Sequence, residues 1–222
     1  MQLFLLYGIF EKTIYMPKKA IIYDLDNTVY PAHSIGDKLF APVFDLIIAS
    51  GEHNDTIENI KKEMMRTPFR LVALQHGLSD ELTAKAVTIQ EETEYDEAIA
   101  TFEDYPETKS IPGDRFLVTT GFEKMQWSKI RQMGIQDDFK EIHVVNPVLS
   151  SKKEVFADIL KRNNLNAADV LVVGDDPLSE IKAAHELGID TVLYDKQGFH
   201  DPKSATHHIT HFKDLKSIYL NS

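Results

Sequence analysis

Five short apolar runs, rich in β-branched residues, constrain this chain more than any other feature. They fall at 20–25 (AIIYDL), 115–119 (RFLVT), 142–146 (IHVVN), 170–174 (VLVVG) and 191–194 (TVLY). Apolar runs this short read as buried strands. Between the later ones lie patterns of helical period at 123–133, 152–163 and 179–187. Strands that alternate with helices require crossover connections, so the strands run parallel and helices cover both faces of the sheet. The expected class is α/β, with a Rossmann-like three-layer core.

One gap breaks the rhythm. Residues 33–100 contain no strand pattern but several helical ones: DKLFAPVFDLIIAS, NDTIENIKKEMM, PFRLVALQHG and the acidic SDELTAKAVTIQEETEYDEAIA. Leu39, Phe40, Val43, Phe44, Ile47 and Ile48 share one stripe, which predicts that Phe40, Phe44 and Ile48 pack in a helical core. The run EETEYDE reads as a solvated helix face. The expected organisation is therefore an α/β core over 1–32 and 101–222, with an inserted all-helical cap over 33–100. An insert at the C-terminal end of a strand sits over the edge where open α/β sheets bind ligands, so a lid is expected.

The residues able to do chemistry gather at strand ends. The first strand runs into Asp24 and Asp26, the second into Thr119, Thr120 and Gly121, and the fourth into Gly174, Asp175 and Asp176. The third leads through a loop to Ser151, Lys152 and Lys153. In a parallel sheet these ends share one edge. Paired carboxylates crowded together raise each other's pKa or need a cation, and an all-oxygen set suits Mg²⁺. With a phosphate substrate, one aspartate can attack phosphorus while a neighbouring one shuttles protons. A lysine and a hydroxyl would hold the remaining phosphoryl oxygens.

Charge and composition narrow the partners. The 222 residues carry a formal net charge of −11, which disfavours nucleic-acid polymers and anionic membranes as general partners. No cysteine is present, which excludes disulfides, thiolate metal sites and cysteine nucleophiles and accords with a cytoplasmic location. The apolar start MQLFLLYGIF is too short to span a bilayer. Residues 1–15 read as an upstream extension or a wrongly chosen start, with a short packed strand as the other reading. A monomer or homodimer is expected.

The motifs, taken in order, resemble those of the haloacid dehalogenase-like superfamily. DLDNT at 24–28 is similar to its DxDxT signature, VTTG at 118–121 to its second motif, and GDDPLSE at 174–180 to its acidic fourth motif. The stretch TTGFEKMQWSKIRQMGIQDDFKEIHVV also resembles the family's text between motifs two and three, and the insert has the position and size of its first-type cap. The resemblance covers roughly 18–32 and 112–212. It implies a Mg²⁺-dependent phosphatase acting on a small phosphorylated metabolite through an aspartyl-phosphate. The continuation DNTVYP resembles members acting on pyrimidine nucleotides, which places nucleotide 5′-phosphates among the candidates.

Carried onto this chain, the resemblance makes Asp24 the nucleophile and a metal ligand. Asp26 becomes the general acid/base and a ligand through its backbone carbonyl. Thr119, with Thr120 and Gly121, holds the phosphoryl group, and Asp175 is a further metal ligand. Two positions depart from the family pattern. The third motif lacks the usual lysine–proline pair; Ser151 and Glu154 form a capping box, which favours Lys152 over Lys153 as the phosphate-binding lysine. The last acidic position of motif four is Glu180 rather than aspartate, so either Glu180 or Asp176 completes the metal shell.

Two other outcomes share the motifs: a phosphomutase of the same fold and a non-catalytic phospho-ligand-binding protein. Dehalogenation is disfavoured by Asp26. His207, His208 and His211 lack a partner motif and read as surface residues, and His33 reads as a hinge or surface residue.

Overall fold

The computed structural model describes residues 18–146 and 149–222, so the expectations for residues 1–15 lie outside the described residues. Among the described residues six parallel strands form one sheet: β1 (Ala20–Tyr23), β2 (Asp114–Thr120), β3 (Glu141–Val145), β4 (Val170–Gly174), β5 (Asp190–Tyr194) and β6 (His207–Ile209). Their order is β3-β2-β1-β4-β5-β6. β1 lies centrally between β2 and β4, with Ile22 level with Phe116 on one side and Val172 on the other. All five expected strands are present within a residue or two, and β6 is an addition that takes up His207 and His208. The side-chain period of two divides the strands between two faces. Ala20, Ile22, Phe116, Val118, Val170 and Val172 enter one apolar cluster, while Ile21, Tyr23, Leu117, Leu171 and Val173 enter the other.

The insertion follows β1. Asn27 adopts a left-handed backbone (φ 58°), which asparagine tolerates better than most residues. Its side chain accepts from the Ala32 amide at 3.1 Å and donates to the Met65 carbonyl at 3.3 Å, so it ties the turn to the helices above. Those helices are α1 (His33–Leu39), α2 (Ala41–Ser50), α3 (Ile57–Met64), α4 (Phe69–Gln75) and α5 (Asp80–Glu92). Val43, Phe44, Ile47, Ile60, Val72, Leu82 and Ala86 make an apolar core belonging to the insertion itself.

Three local expectations need correction here. The predicted stripe is interrupted at Phe40, where α1 ends and Pro42 opens α2. That break turns Ile47 inward and leaves Ile48 52 % exposed, so Ile48 is not core. The EETEYDE run is not one helix face either. α5 ends at Glu92, and the chain then runs back to the sheet, burying Tyr95, whose amide donates to Ser128 Oγ at 2.8 Å.

The sheet's two faces are covered by α6 (Glu123–Met133) and α9 (Leu215–Asn221) on one side, and by α7 (Lys152–Arg162) and α8 (Lys182–His185) on the other. The helix expected over 179–187 begins instead as a π-helical turn at Pro177–Ile181. Single π turns of this kind concentrate at functional sites. Here the cause is local: the Asp176 carboxylate accepts from the Leu178 amide at 2.8 Å, and Glu180 folds back to accept from the Asp176 amide at 2.7 Å.

Candidate active site

The parallel register brings the strand ends together. Tyr23, Leu117 and Val173 are level across the sheet, so Asp24, Thr119 and Asp175 all lie just past that line on one edge. The Asp24 amide still donates to the Val173 carbonyl at 2.9 Å, which fixes where its side chain leaves the sheet. One carboxylate oxygen from each of Asp24, Asp175 and Glu180 lies within 4.8 Å of the others. Gly174 makes this convergence possible, because a Cβ there would overlap the Glu180 carboxylate.

Lys152 lies against this group. Its Nζ donates to Asp24 Oδ1 at 2.6 Å and to Glu180 Oε2 at 2.7 Å, and it is 7 % exposed. The capping box of Ser151 and Glu154 sets the start of α7, which places Lys152 at its first residue. Lys153 points away and pairs with Glu186 at 2.9 Å. Asp176 is turned onto the start of the π turn, so Glu180 is the residue brought beside Asp24 and Asp175.

Burial, with the carboxylates of Glu180 and Asp26 nearby, pushes Asp24 up to about 7 despite Lys152. Burial and the charges of Glu180 and Asp24 push Asp175 well above the usual carboxylate range, and burial also raises Asp176. Of the three clustered carboxylates, Asp24 and Glu180 share the buried Lys152, and Asp175 has only the more distant Arg66. That excess of negative charge, presented by oxygen donors alone, fits a hard divalent cation.

Asp26 is held differently. Oδ1 accepts from Lys129 Nζ at 2.9 Å and from the Tyr30 hydroxyl, and Oδ2 accepts from Gln126 Nε2 at 2.9 Å. Burial alone would raise its pKa, but Lys129, helped by these hydrogen bonds, brings it below the usual carboxylate range. Thr119 is buried, and its Oγ1 accepts from Gln126 Nε2 at 2.5 Å. Thr120 offers its carbonyl to the same amide at 3.2 Å. The Gly121 N–H is used by the sheet, donating to the Val145 carbonyl at 3.0 Å.

Sequence reasoning missed Gln126, Lys129, Tyr30 and Arg66. A signal existed for the first two: polar residues three apart among the core-facing positions of a helix that also buries Met125 and Ile130. None existed for Arg66, which crosses from the end of α3 to lie 3.6 Å from Asp175 Oδ2, 3.0 Å from Gln197 Oε1 and over the Phe199 ring. Arg66, His33, Asn27, Phe102, Lys196 and His200 border a shallow cleft next to Asp175. His33 therefore stands both on the surface at the start of α1 and at the rim of this cleft. His208 Nε2 approaches Asp195 at 3.6 Å, and His211 accepts from the Lys213 amide.

A central parallel strand ending in carboxylates, a lysine from a later helix and a helical insertion over the edge define a hydrolase of the α/β class. The chain belongs to the haloacid dehalogenase-like hydrolase family, whose pattern it matches over residues 21–194. It is similar to a glyceraldehyde 3-phosphate phosphatase of Methanopyrus kandleri, with 24% identity over 82% of this chain and 86% of that one. The similarity to the glyceraldehyde 3-phosphate phosphatase of Methanocaldococcus jannaschii is 25% over 91% of this chain and 97% of the relative. Among solved structures, a haloacid dehalogenase-like hydrolase from Streptococcus pneumoniae shares the fold with a TM-score of 0.70 at 18% identity, covering 91% of this chain and 98% of the other. The HAD-hydrolase YfnB from Bacillus subtilis, bound to magnesium, shares it with a TM-score of 0.63 at 17% identity, covering 92% and 99%. Among the described residues no helix is long and apolar enough to cross a membrane.

Proposed function

We propose that this protein is a Mg²⁺-dependent phosphomonoester hydrolase that works through an aspartyl-phosphate on Asp24. The observation that carries the reading is the cluster of Asp24, Asp175 and Glu180 at the sheet edge, with Lys152 bridging Asp24 and Glu180. Mg²⁺ held by Asp24, Asp175, Glu180 and the Asp26 carbonyl would neutralise the phosphoryl oxygens. A carboxylate oxygen of Asp24 attacks phosphorus. Asp26, ionised beside Lys129 in the free protein, has to take up a proton first, and gives it to the leaving oxygen as the bond from phosphorus to that oxygen breaks. Asp26 then takes a proton from water, whose oxygen attacks the aspartyl-phosphate and releases phosphate with Asp24 restored. Thr119 and Lys152 hold phosphoryl oxygens through both steps.

The substrate is a small phosphorylated metabolite. The relatives from Methanopyrus kandleri and Methanocaldococcus jannaschii are phosphatases of a triose phosphate. Glyceraldehyde 3-phosphate therefore heads the candidates, with nucleotide 5′-phosphates second. A dehalogenase shares this fold at 13% identity, but a proton donor at Asp26 serves an oxygen leaving group, not a halide. The test is phosphate release from an aryl phosphate with Mg²⁺ and with a chelator, for the wild type and Asp24→Asn, followed by a metabolite panel. Mg²⁺-dependent turnover lost in Asp24→Asn supports the reading. Turnover that survives the substitution removes Asp24 as nucleophile. Phosphate transferred to a sugar hydroxyl instead of water would make the enzyme a mutase, and ligand binding without turnover would make it a binding protein.

A further inference from the structure

Two buried polar side chains have no part in the mechanism above. Gln126 is 1 % exposed and Lys129 is 4 % exposed, and they stand three residues apart on the inner face of α6. Such groups are rarely buried without partners that need them. Both reach Asp26: Lys129 Nζ donates to Oδ1 and Gln126 Nε2 to Oδ2. Gln126 goes further, since the same amide nitrogen also meets Thr119 Oγ1 at 2.5 Å and the Thr120 carbonyl at 3.2 Å.

The partners determine which end of the Gln126 amide faces them. An ionised carboxylate and a carbonyl can only accept, so the nitrogen must point at them. Thr119 Oγ1 lies against the same nitrogen, so the two amide hydrogens are shared among three acceptors. Gly121 leaves the space for this arrangement, because a Cβ there would stand 2.9 Å from the Gln126 side chain. One side chain thus spans the ends of β1 and β2 and contacts a residue from each.

We infer that Gln126 and Lys129 are positioning residues that hold the Asp26 carboxylate and the Thr119 hydroxyl in their working orientations. Gln126 fixes the distance between the two, and Lys129 with Tyr30 anchors the far oxygen of Asp26. The inference rests on the phosphohydrolase reading. Lys129 acts through Asp26, and Gln126 through Asp26 and Thr119.

The experiment compares two aryl phosphates that differ in leaving-group acidity, 4-nitrophenyl phosphate and phenyl phosphate, in wild type, Asp24→Asn, Gln126→Leu and Lys129→Met. The nitrophenolate leaves readily without a proton, whereas phenolate needs one. If the two residues position the proton donor, kcat on phenyl phosphate falls about 100-fold while the loss on 4-nitrophenyl phosphate is about tenfold smaller, with KM changed less than about threefold. Gln126→Met provides a second variant should Gln126→Leu fail to fold, judged by thermal melting. Equal losses on both substrates, or no loss, overturn the inference while Asp24-dependent turnover leaves the hydrolase reading standing. Absence of Asp24-dependent turnover in the wild type overturns both.

Discussion

A β-carbon on Gly174 would occupy the space taken by the carboxylate of Glu180. The last residue of β4 therefore decides whether a side chain further along the chain can reach the sheet edge. Gly174→Ala should push Glu180 away from Asp24, Asp175 and Lys152. Overpacking of this kind costs about 1–3 kcal/mol, and activity should fall by more than about tenfold, since each decade needs only about 1.4 kcal/mol. Thermal melting with and without Mg²⁺ checks the cause: the variant should lose most of the metal-dependent stabilisation.

Lys152 and Lys153 are adjacent in sequence but sit in opposite settings. Lys152 bridges Asp24 and Glu180 in the interior, while Lys153 meets Glu186 at the surface. Lys152→Met should lower kcat by about 10²–10³, the scale seen when one charge-stabilising donor is lost. Lys153→Met should change kcat less than about twofold, as expected for an exposed ion pair. Equal effects in steady-state assays would reject this assignment.

The metal-free protein should lose stability as pH rises from about 4 to about 7. Asp24 titrates near 7 in the folded protein against 3.8 for an ordinary aspartate, so over that interval the native state holds more protons than the unfolded state. Stability then falls with increasing pH and levels off above about 7. Asp175, raised in the same direction, adds to the trend. Saturating Mg²⁺ should flatten the slope, because the cation replaces the protons. Urea melts across that range, with Mg²⁺ and with a chelator, test this.

Arg66 competes with any cation at Asp175. Its guanidinium lies 3.6 Å from Oδ2 while being held by Gln197 and Phe199. Arg66→Ala should tighten Mg²⁺ binding about two- to fivefold, of the order expected for one partly exposed charge pair. The same change should raise KM by removing a cation from the cleft. A metal titration followed by thermal shift reads the first effect directly.

The sheet was legible because a buried parallel strand is a continuous apolar run, and such runs stand out from their surroundings at 20–25, 115–119 and 170–174. The residues at the strand ends could be proposed for a similar reason: once the strands are parallel, their C-termini must share an edge. Helix boundaries in the insertion were less legible. Phe40 and Ile48 fit one periodic stripe, yet the break at Phe40 rotates the face, and only packing against Ile60 and Val72 shows which side is buried. The π turn was illegible because its cause is a fold-back of Glu180 onto the Asp176 amide.

Sequence alone determined the class of fold, the position of the insertion and the carboxylates and lysines at the sheet edge, because these follow from local periodicity and from the geometry of parallel crossovers. Tertiary structure decided which of those groups meet. Glu180 rather than Asp176 joins Asp24 and Asp175, Lys152 rather than Lys153 bridges Asp24 and Glu180, and Gln126 ties Asp26 to Thr119. The physical reason is range. Strand and helix signals lie within a few residues of one another, whereas Asp24 and Lys152 are 128 residues apart and meet only when both segments are packed on the same sheet.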